Sequence, residues 1–252
     1  NKVTKLGVSG EPRNDSYSRT EVGREVGSFY GYVYEGIFQS QAEIDNRMNA
    51  EGIYINQPGA QPGDVIYADL DKDGEITNLD QTYLGSGLAK FHYGLNARAE
   101  WNGFDLSIAT HGAAGFKAVD FVDVMLRSSY GANNKDVRLL NAWTPENPNT
   151  DVPRIAYKSM GAVTNDMFSS RYLQDASYLK IANIEFGYNF SDKIFGNYLR
   201  GVRVFVSAQN VATISKYVGY NVDFAGGTFT PGFNYASYPT PRSVMFGGRF
   251  SF

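Results

Sequence analysis

The chain has 252 residues, with 23 Lys and Arg against 26 Asp and Glu, so its formal charge of −3 leaves no strongly basic face and argues against nucleic acid as a partner. The absence of cysteine excludes disulfides, thiolate metal sites and thiol catalysis. No apolar run approaches the roughly 18 residues of a membrane helix. The 18 Tyr, 17 Phe and 27 Gly point instead to strands and tight turns, and strands that are only half apolar still allow a membrane β-barrel.

Residues 1–8, "NKVTKLGV", read as the inside of a strand, as expected for a processed or truncated chain. A long connection, 9–87, follows. Tyr30, Tyr32, Tyr34 and Phe38 form an aromatic ladder there, able to stack on sugars or grip peptides, or to pack the connection's own core. Further on, "DLDKDGEITNLD" (69–80) has the spacing of an EF-hand-type loop. With Asp69 as position one, Asp71 is three, Asp73 five, Gly74 six, Glu75 seven, Thr77 nine and Asp80 twelve. Three carboxylates this close repel one another unless a cation neutralises them, Gly74 permits the sharp turn, and Glu75 offers its backbone carbonyl. Position twelve is Asp rather than the longer Glu, as in dockerin-type loops, and the flanks do not read as the paired helices of a sensor. The expectation is a structural Ca2+ or Mg2+ held by Asp69, Asp71, Asp73, Glu75 and Asp80 and pinning the connection; the alternative is an ion-free turn.

The clearest pattern spans 91–111. Phe91, Tyr93, Leu95, Ala97, Ala99 and Trp101 alternate with polar residues up to Asn102-Gly103, a strong two-residue hairpin signal. Phe104, Leu106 and Ile108 resume the alternation. A two-residue turn sets the register, pairing Trp101 with Phe104 and Ala97 with Ile108 on one face and Arg98 with Ser107 on the other. His92 and His111 fall on the polar face; with no third ligand they read as solvated residues rather than a zinc site. The next connection, 113–172, contains two segments with a helical period, 117–127 and 134–143. Strands follow at 173–190 and 201–213 across the short turn 191–200. After the connection 214–241, strand 242–252 ends on Phe250 and Phe252. Neither a phosphate-binding loop nor a G-x-S-x-G elbow is present, so the chain is not read as an enzyme.

Alternation alone fits a soluble sheet as well as a barrel. Connection lengths separate the two. Short turns (102–103, 191–200) alternate with long connections (9–87, 113–172, 214–241), as in outer-membrane barrels with short periplasmic turns and long extracellular loops. Trp101, Phe104, Phe190 and Phe252 lie near the short-turn side, where an aromatic girdle is expected. The reading is all-β, with about six membrane strands at 1–8, 88–101, 104–112, 173–190, 201–213 and 242–252. Because single-chain barrels start at about eight strands, these make one slice of a larger barrel.

Five blocks carry a family resemblance: "TEVGREVGSFYGYVYEGIFQSQAEID" (20–45), "PGDVIYADLDKDGEITNLDQTYLGSGLAKFHYGLNARAEWNGFDLSI" (62–108), "WTPENPNTDVPR" (143–154), "SSRYLQDASYLKIANIEFGYNF" (169–190) and "VRVFVSAQNVATISKYVGYNVDF" (202–224). In order and over nearly the whole chain, they resemble the SusC/RagA family of TonB-dependent outer-membrane transporters. The resemblance implies the C-terminal part of a 22-stranded plugged barrel, with the plug absent from this chain. It also implies import of oligosaccharides or oligopeptides beneath a SusD/RagB-like lipoprotein lid, energised by the TonB system through that plug, and a wall that faces outer-membrane lipid. Phe250 and Phe252 would then serve as the assembly signal of the last strand, and Tyr30, Tyr32 and Tyr34 as candidate ligand contacts. The competing reading is a soluble β-rich glycan-binding module with a dockerin-like calcium loop, which would need no detergent.

Overall fold

The computed structural model describes residues 1–128, 134–156, 165–191, 199, 201–224 and 226–251. The chain forms two compact units. One comprises Ala89–Phe116, Asp175–Asp223 and Ser237–Phe252; the other comprises Asn1–Leu88, Lys117–Gln174 and Phe224–Ala236. Among the described residues no helix is long and apolar enough to cross a membrane.

The first unit is a single antiparallel sheet of five long strands: β1 (Phe91–Trp101), β2 (Phe104–Ala114), β3 (Tyr178–Phe190), β4 (Gly201–Ser215) and β5 (Ser243–Ser251). Spatial order follows chain order, an up-and-down meander with β1 and β5 at its edges. Each strand has at least the roughly 9–11 residues that a tilted membrane strand needs. The hairpin register is the expected one: Trp101 pairs with Phe104, Ala97 with Ile108, and Arg98 with Ser107. At the turn, Asn102 and Gly103 both take positive φ, 50° and 86°, as a two-residue turn between right-twisted strands requires. Most of the 191–200 turn, and Phe252, lie outside the described residues.

The expected strand at 1–8 is absent. Val3 exchanges one pair of backbone hydrogen bonds with Gly23 and Arg24, 2.8 Å each. Gly7 and Gly10 then take φ of 46° and 73° and break the extension before any ladder forms. Among the described residues the chain therefore supplies five long strands, not six.

The second unit is built from the long connections, which fold rather than wander. Four short strands, Arg13–Asn14, Ser18–Thr20, Ser28–Gly31 and Thr82–Gly85, make one sheet. Tyr34–Ile37 pairs with Val65–Tyr67, and Phe233–Asn234 runs parallel to Lys117–Asp120. Two apolar clusters hold the unit together. One gathers Phe29, Leu84, Val119, Phe168, Tyr172 and Phe233, and the other Tyr32, Ile55, Val65, Tyr67 and Ile76. Buried Asp64 accepts from Arg154 Nε at 2.6 Å and from Asn165 Nδ2 at 3.0 Å, tying together segments about a hundred residues apart in sequence.

The helical readings hold only in part. Lys117–Asp120 is a strand, with Ala118 and Val119 fully buried, and the helix begins at Phe121 behind the Asp120 cap and ends at Arg127. Within 134–143 only a 3-10 turn forms, Val137–Asn141, capped by Asp136.

Candidate functional site

Pairing across the five strands lines up whole rows of side chains. Ala97, Ile108, Ile184, Ala208 and Val244 form one row; Ala99, Leu106, Phe186, Val206 and Phe246 the next; Trp101, Phe104, Tyr188, Val204 and Gly248 a third. Every member is apolar, aromatic or glycine. The face is nonetheless open, with Trp101 77% and Phe246 85% exposed and Phe250 more than half exposed. Soluble monomers rarely leave an apolar surface of this breadth in water. Moving each large side chain out of water contributes about 1.5–3 kcal/mol.

The opposite face carries rows such as Arg98, Ser107, Glu185, Ser207 and Met245. Near its short-turn end Arg203 on β4 donates from Nε to Asp105 on β2 at 2.9 Å and from Nη2 to Glu185 on β3 at 2.7 Å, while Asn189 Nδ2 adds a bond to Asp105 at 2.8 Å. Paired in this way, Asp105 is buried without an unmet charge.

Near the other end of this face a bulge between Ile181 and Asn183 shifts the register. Strict alternation would set Lys180 beside Ile184 on the apolar face. The bulge turns it over, so that it pairs with His111 on β2 and Thr213 on β4. Lys180 Nζ donates to Asp223 Oδ2 at 2.6 Å, and His111 Nε2 lies 3.9 Å from the same oxygen. Burial pulls the Asp223 carboxyl up, but hydrogen bonds from Lys180 and Tyr178 outweigh it and hold the group below its usual value. His92 and His111 do share the polar face, as expected.

In the 69–80 loop the structure gathers Asp69, Asp71 and Asp73, with one carboxylate oxygen from each within 4.8 Å of the others. That spread suits one cation bound at about 2.3–2.6 Å. Local amides hold the carboxylates in place: Asp69 accepts from Lys72 and Gly74, Asp71 from Asp73, and Asp73 from Glu75. The Asp71 carboxyl is pushed above its usual value, first by loss of solvent and then by the carboxylates of Asp80, Asp73 and Asp69, against the bond from the Asp73 amide. Gly74 turns the chain at φ 84°, where a Cβ would lie 2.6 Å from the Tyr54 carbonyl. Asp80 stands apart from the triad. Fully buried, it closes a capping box with Thr77 and also accepts from the Leu70 amide at 2.7 Å. Each of its oxygens keeps a further lone pair.

The aromatic ladder splits. Tyr32 is a core residue, its ring 5.3 Å from Tyr67, so a ligand-contact role is corrected for this residue; its place in a strand-like extension turns it inward. Tyr30 is half-buried, with its hydroxyl accepting from Arg19 and its ring edge-on to Tyr83. Tyr34 is half-buried against the same core as Tyr32. Phe250 stands on the open apolar face.

No family model matches the chain. Over 98% of its length it is 32% identical to TonB-dependent receptor P3 of Formosa agariphila, and over 78% it is 24% identical to TonB-dependent receptor SusC of Bacteroides thetaiotaomicron. Among solved structures the RagAB peptide importer in its "closed-closed" state superposes on all of the chain with a TM-score of 0.75 at 22% identity, and in its "open-open" state with 0.74 at 23%. The chain spans about a quarter of the length of these relatives, 25% of receptor P3 and 26% of the "closed-closed" importer chain. A meander with one open apolar face and one polar face, it is matched end to end by TonB-dependent receptors and shares their fold. More particularly, the chain is SusC/RagA-like.

Proposed function

We propose that the chain is the C-terminal part of a 22-stranded, plugged outer-membrane barrel that imports oligosaccharides or oligopeptides. The observation that carries this is the continuous apolar face of β1–β5, left open to an apolar surrounding and backed by a polar face fit to line an aqueous lumen. The same open face weighs against a soluble glycan-binding module. On this reading the two free edges, β1 and β5, pair with strands from the rest of the transporter, because lipid satisfies no backbone group. The folded connections face outward, beneath a SusD/RagB-like lipoprotein. The TonB system reaches the whole receptor through its plug. The RagAB relative is a peptide importer, which supports peptides as one solute class.

Asp69, Asp71, Asp73 and the Glu75 carbonyl hold a structural Ca2+ or Mg2+, while Asp80 braces the loop from outside the triad through the Leu70 and Thr77 amides. The ion would stiffen the connection unit and take no part in transport chemistry. Tyr30 and Tyr34 are the members of the ladder with surface left for a solute. Phe250, with Phe252 beyond the described residues, marks the final strand for assembly.

Fractionation tests the reading. The receptor carrying this chain is expected in the outer membrane, extractable only with detergent and as a complex with its lipoprotein. Recovery as a detergent-free soluble monomer would end it.

A further inference from the structure

Where the bulge turns Lys180 onto the polar face, the strand unit encloses a pocket of about 280 Å3. Its wall includes Lys180, Asn210, Thr213, Tyr220, Asn221 and Arg242. The volume lies at the small end of ligand pockets, room for one ring or one side chain rather than a long segment.

The donors are unbalanced. Lys180 is 6% exposed, and of the three N–H bonds on its ammonium one meets Asp223; the others meet no protein acceptor among the described residues. Buried charged donors left unpaired are costly, so the site calls for an acceptor. Arg242, at the exposed rim, has no ion-pair partner among the described residues. Asp223 neutralises one of the two cations, which leaves the pocket one positive charge in excess. A carboxylate set between Lys180 and Arg242 would satisfy both, Arg242 offering its two-pronged donor edge.

The remaining wall identifies what bears the carboxylate. Asn210 and Asn221 are fixed by Nδ2 bonds to the carbonyls of Pro241 and Tyr238, at 2.9 and 3.4 Å. Thr213 adds a hydroxyl with no protein partner among the described residues, and Tyr220, 73% exposed, adds an aromatic ring. Hydroxyls and amides beside the aromatic rings of Tyr217 and Tyr220 match a hydroxyl-rich ring better than an apolar side chain.

We infer that this pocket takes one carboxylate-bearing sugar unit, a uronate, through Lys180 and Arg242. The inference rests on the importer reading above and narrows its solute class.

The test uses the full-length receptor in detergent, titrated by calorimetry with D-glucuronate, with D-glucose as the uncharged match and with L-glutamate as an amino-acid carboxylate. Glucuronate is expected to bind at least about tenfold more tightly than either. Arg242→Gln should abolish that preference, and Lys180→Met should do the same where the variant still assembles. Equal affinity for glucose, a preference for glutamate, or an unchanged preference in R242Q overturns the proposal. So does a full-length receptor structure with one of its own acidic side chains filling the pocket. Outer-membrane location and detergent dependence are read separately. A receptor that passes those tests yet ignores the carboxylate loses the pocket and keeps the importer.

Discussion

Arg203 reaches Asp105 by lying across Gly187. The two charged residues stand on β4 and β2, with β3 between them, and Nε is 2.9 Å from Oδ2. A Cβ on Gly187 would come within 2.5 Å of the Arg203 guanidinium. The missing side chain is what allows one ion pair to clamp three strands. Gly187→Ala should lift Arg203 off its partners, and Arg203→Ala should remove them altogether. Each charge-assisted hydrogen bond lost costs about 1.5–3 kcal/mol. Urea unfolding of the full-length receptor, followed by the mobility shift of folded barrels on gels, reads the loss. Wild-type stability in both variants would show that the clamp contributes nothing.

The apolar face predicts opposite fates for adjacent residues on β5. Phe246 points to the open face and Met245 to the polar one. Phe246→Arg should cost about 2–4 kcal/mol if the residue sits near the bilayer midplane, whereas Met245→Arg should assemble normally. Deletion of Phe252 should lower the yield of assembled receptor without altering solute affinity. Equal assembly of the two arginine variants would contradict a lipid-facing wall.

Orientation can be read with single cysteines in a chain that has none of its own. Asn102→Cys, in the short turn, should label only after the outer membrane is permeabilised. Leu140→Cys, 88% exposed in the connection unit, should label on intact cells. The reverse pattern would invert the barrel.

For the acidic loop, calcium should protect residues 69–80 from limited proteolysis, and chelation should remove that protection. Asp71→Ala should abolish the protection and leave the five strands folded. Oxygen distances of about 2.3–2.6 Å to an ion would identify calcium, and about 2.1 Å magnesium. Cleavage indifferent to either metal would leave the triad as a turn and nothing more.

Acid should act on the connection unit through Asp136. Its carboxyl is lowered from 3.8 to about 2, first by the side-chain hydrogen bonds from Arg138, whose Nε lies 2.9 Å away. Arg138 also pairs with Asp123, which Arg127 holds at 3.0 Å. Because the folded value is below the unfolded one, the stabilisation is complete above pH 3.8 and fades as pH falls through about 2. Arg138→Gln should return the Asp136 carboxyl toward 3.8, measured by NMR titration.

The β1–β2 hairpin was legible in the sequence because two independent signals agree there, a strict period of two and an Asn-Gly turn that fixes the register. Residues 1–8 misled because a short run with few apolar side chains names no partner, and glycines at 7 and 10 decide its path. Lys180 could not be placed by alternation, since an inserted residue in β3 reverses every assignment beyond it. Tyr32 and Tyr34 follow one another at a spacing that suits either a binding ladder or a core. Only the packing of Tyr67 and Val65, some thirty residues later, separates the two. Asp80 occupies a ligand position and a capping position at once, and local spacing does not distinguish them.

The turn at Asn102 and Gly103 belongs to three strands, not two. The Gly103 carbonyl accepts from both the backbone amide and the side-chain amide of Asn189, at 2.7 and 3.3 Å. A hairpin tip is the usual place to splice in an epitope tag, and here that choice would shear β2 from β3. A reporter for this receptor belongs elsewhere, at an exposed position such as Glu51, where an inserted sequence disturbs a local turn at Asn49 and a surface pair with Lys72 and leaves the five-strand sheet intact.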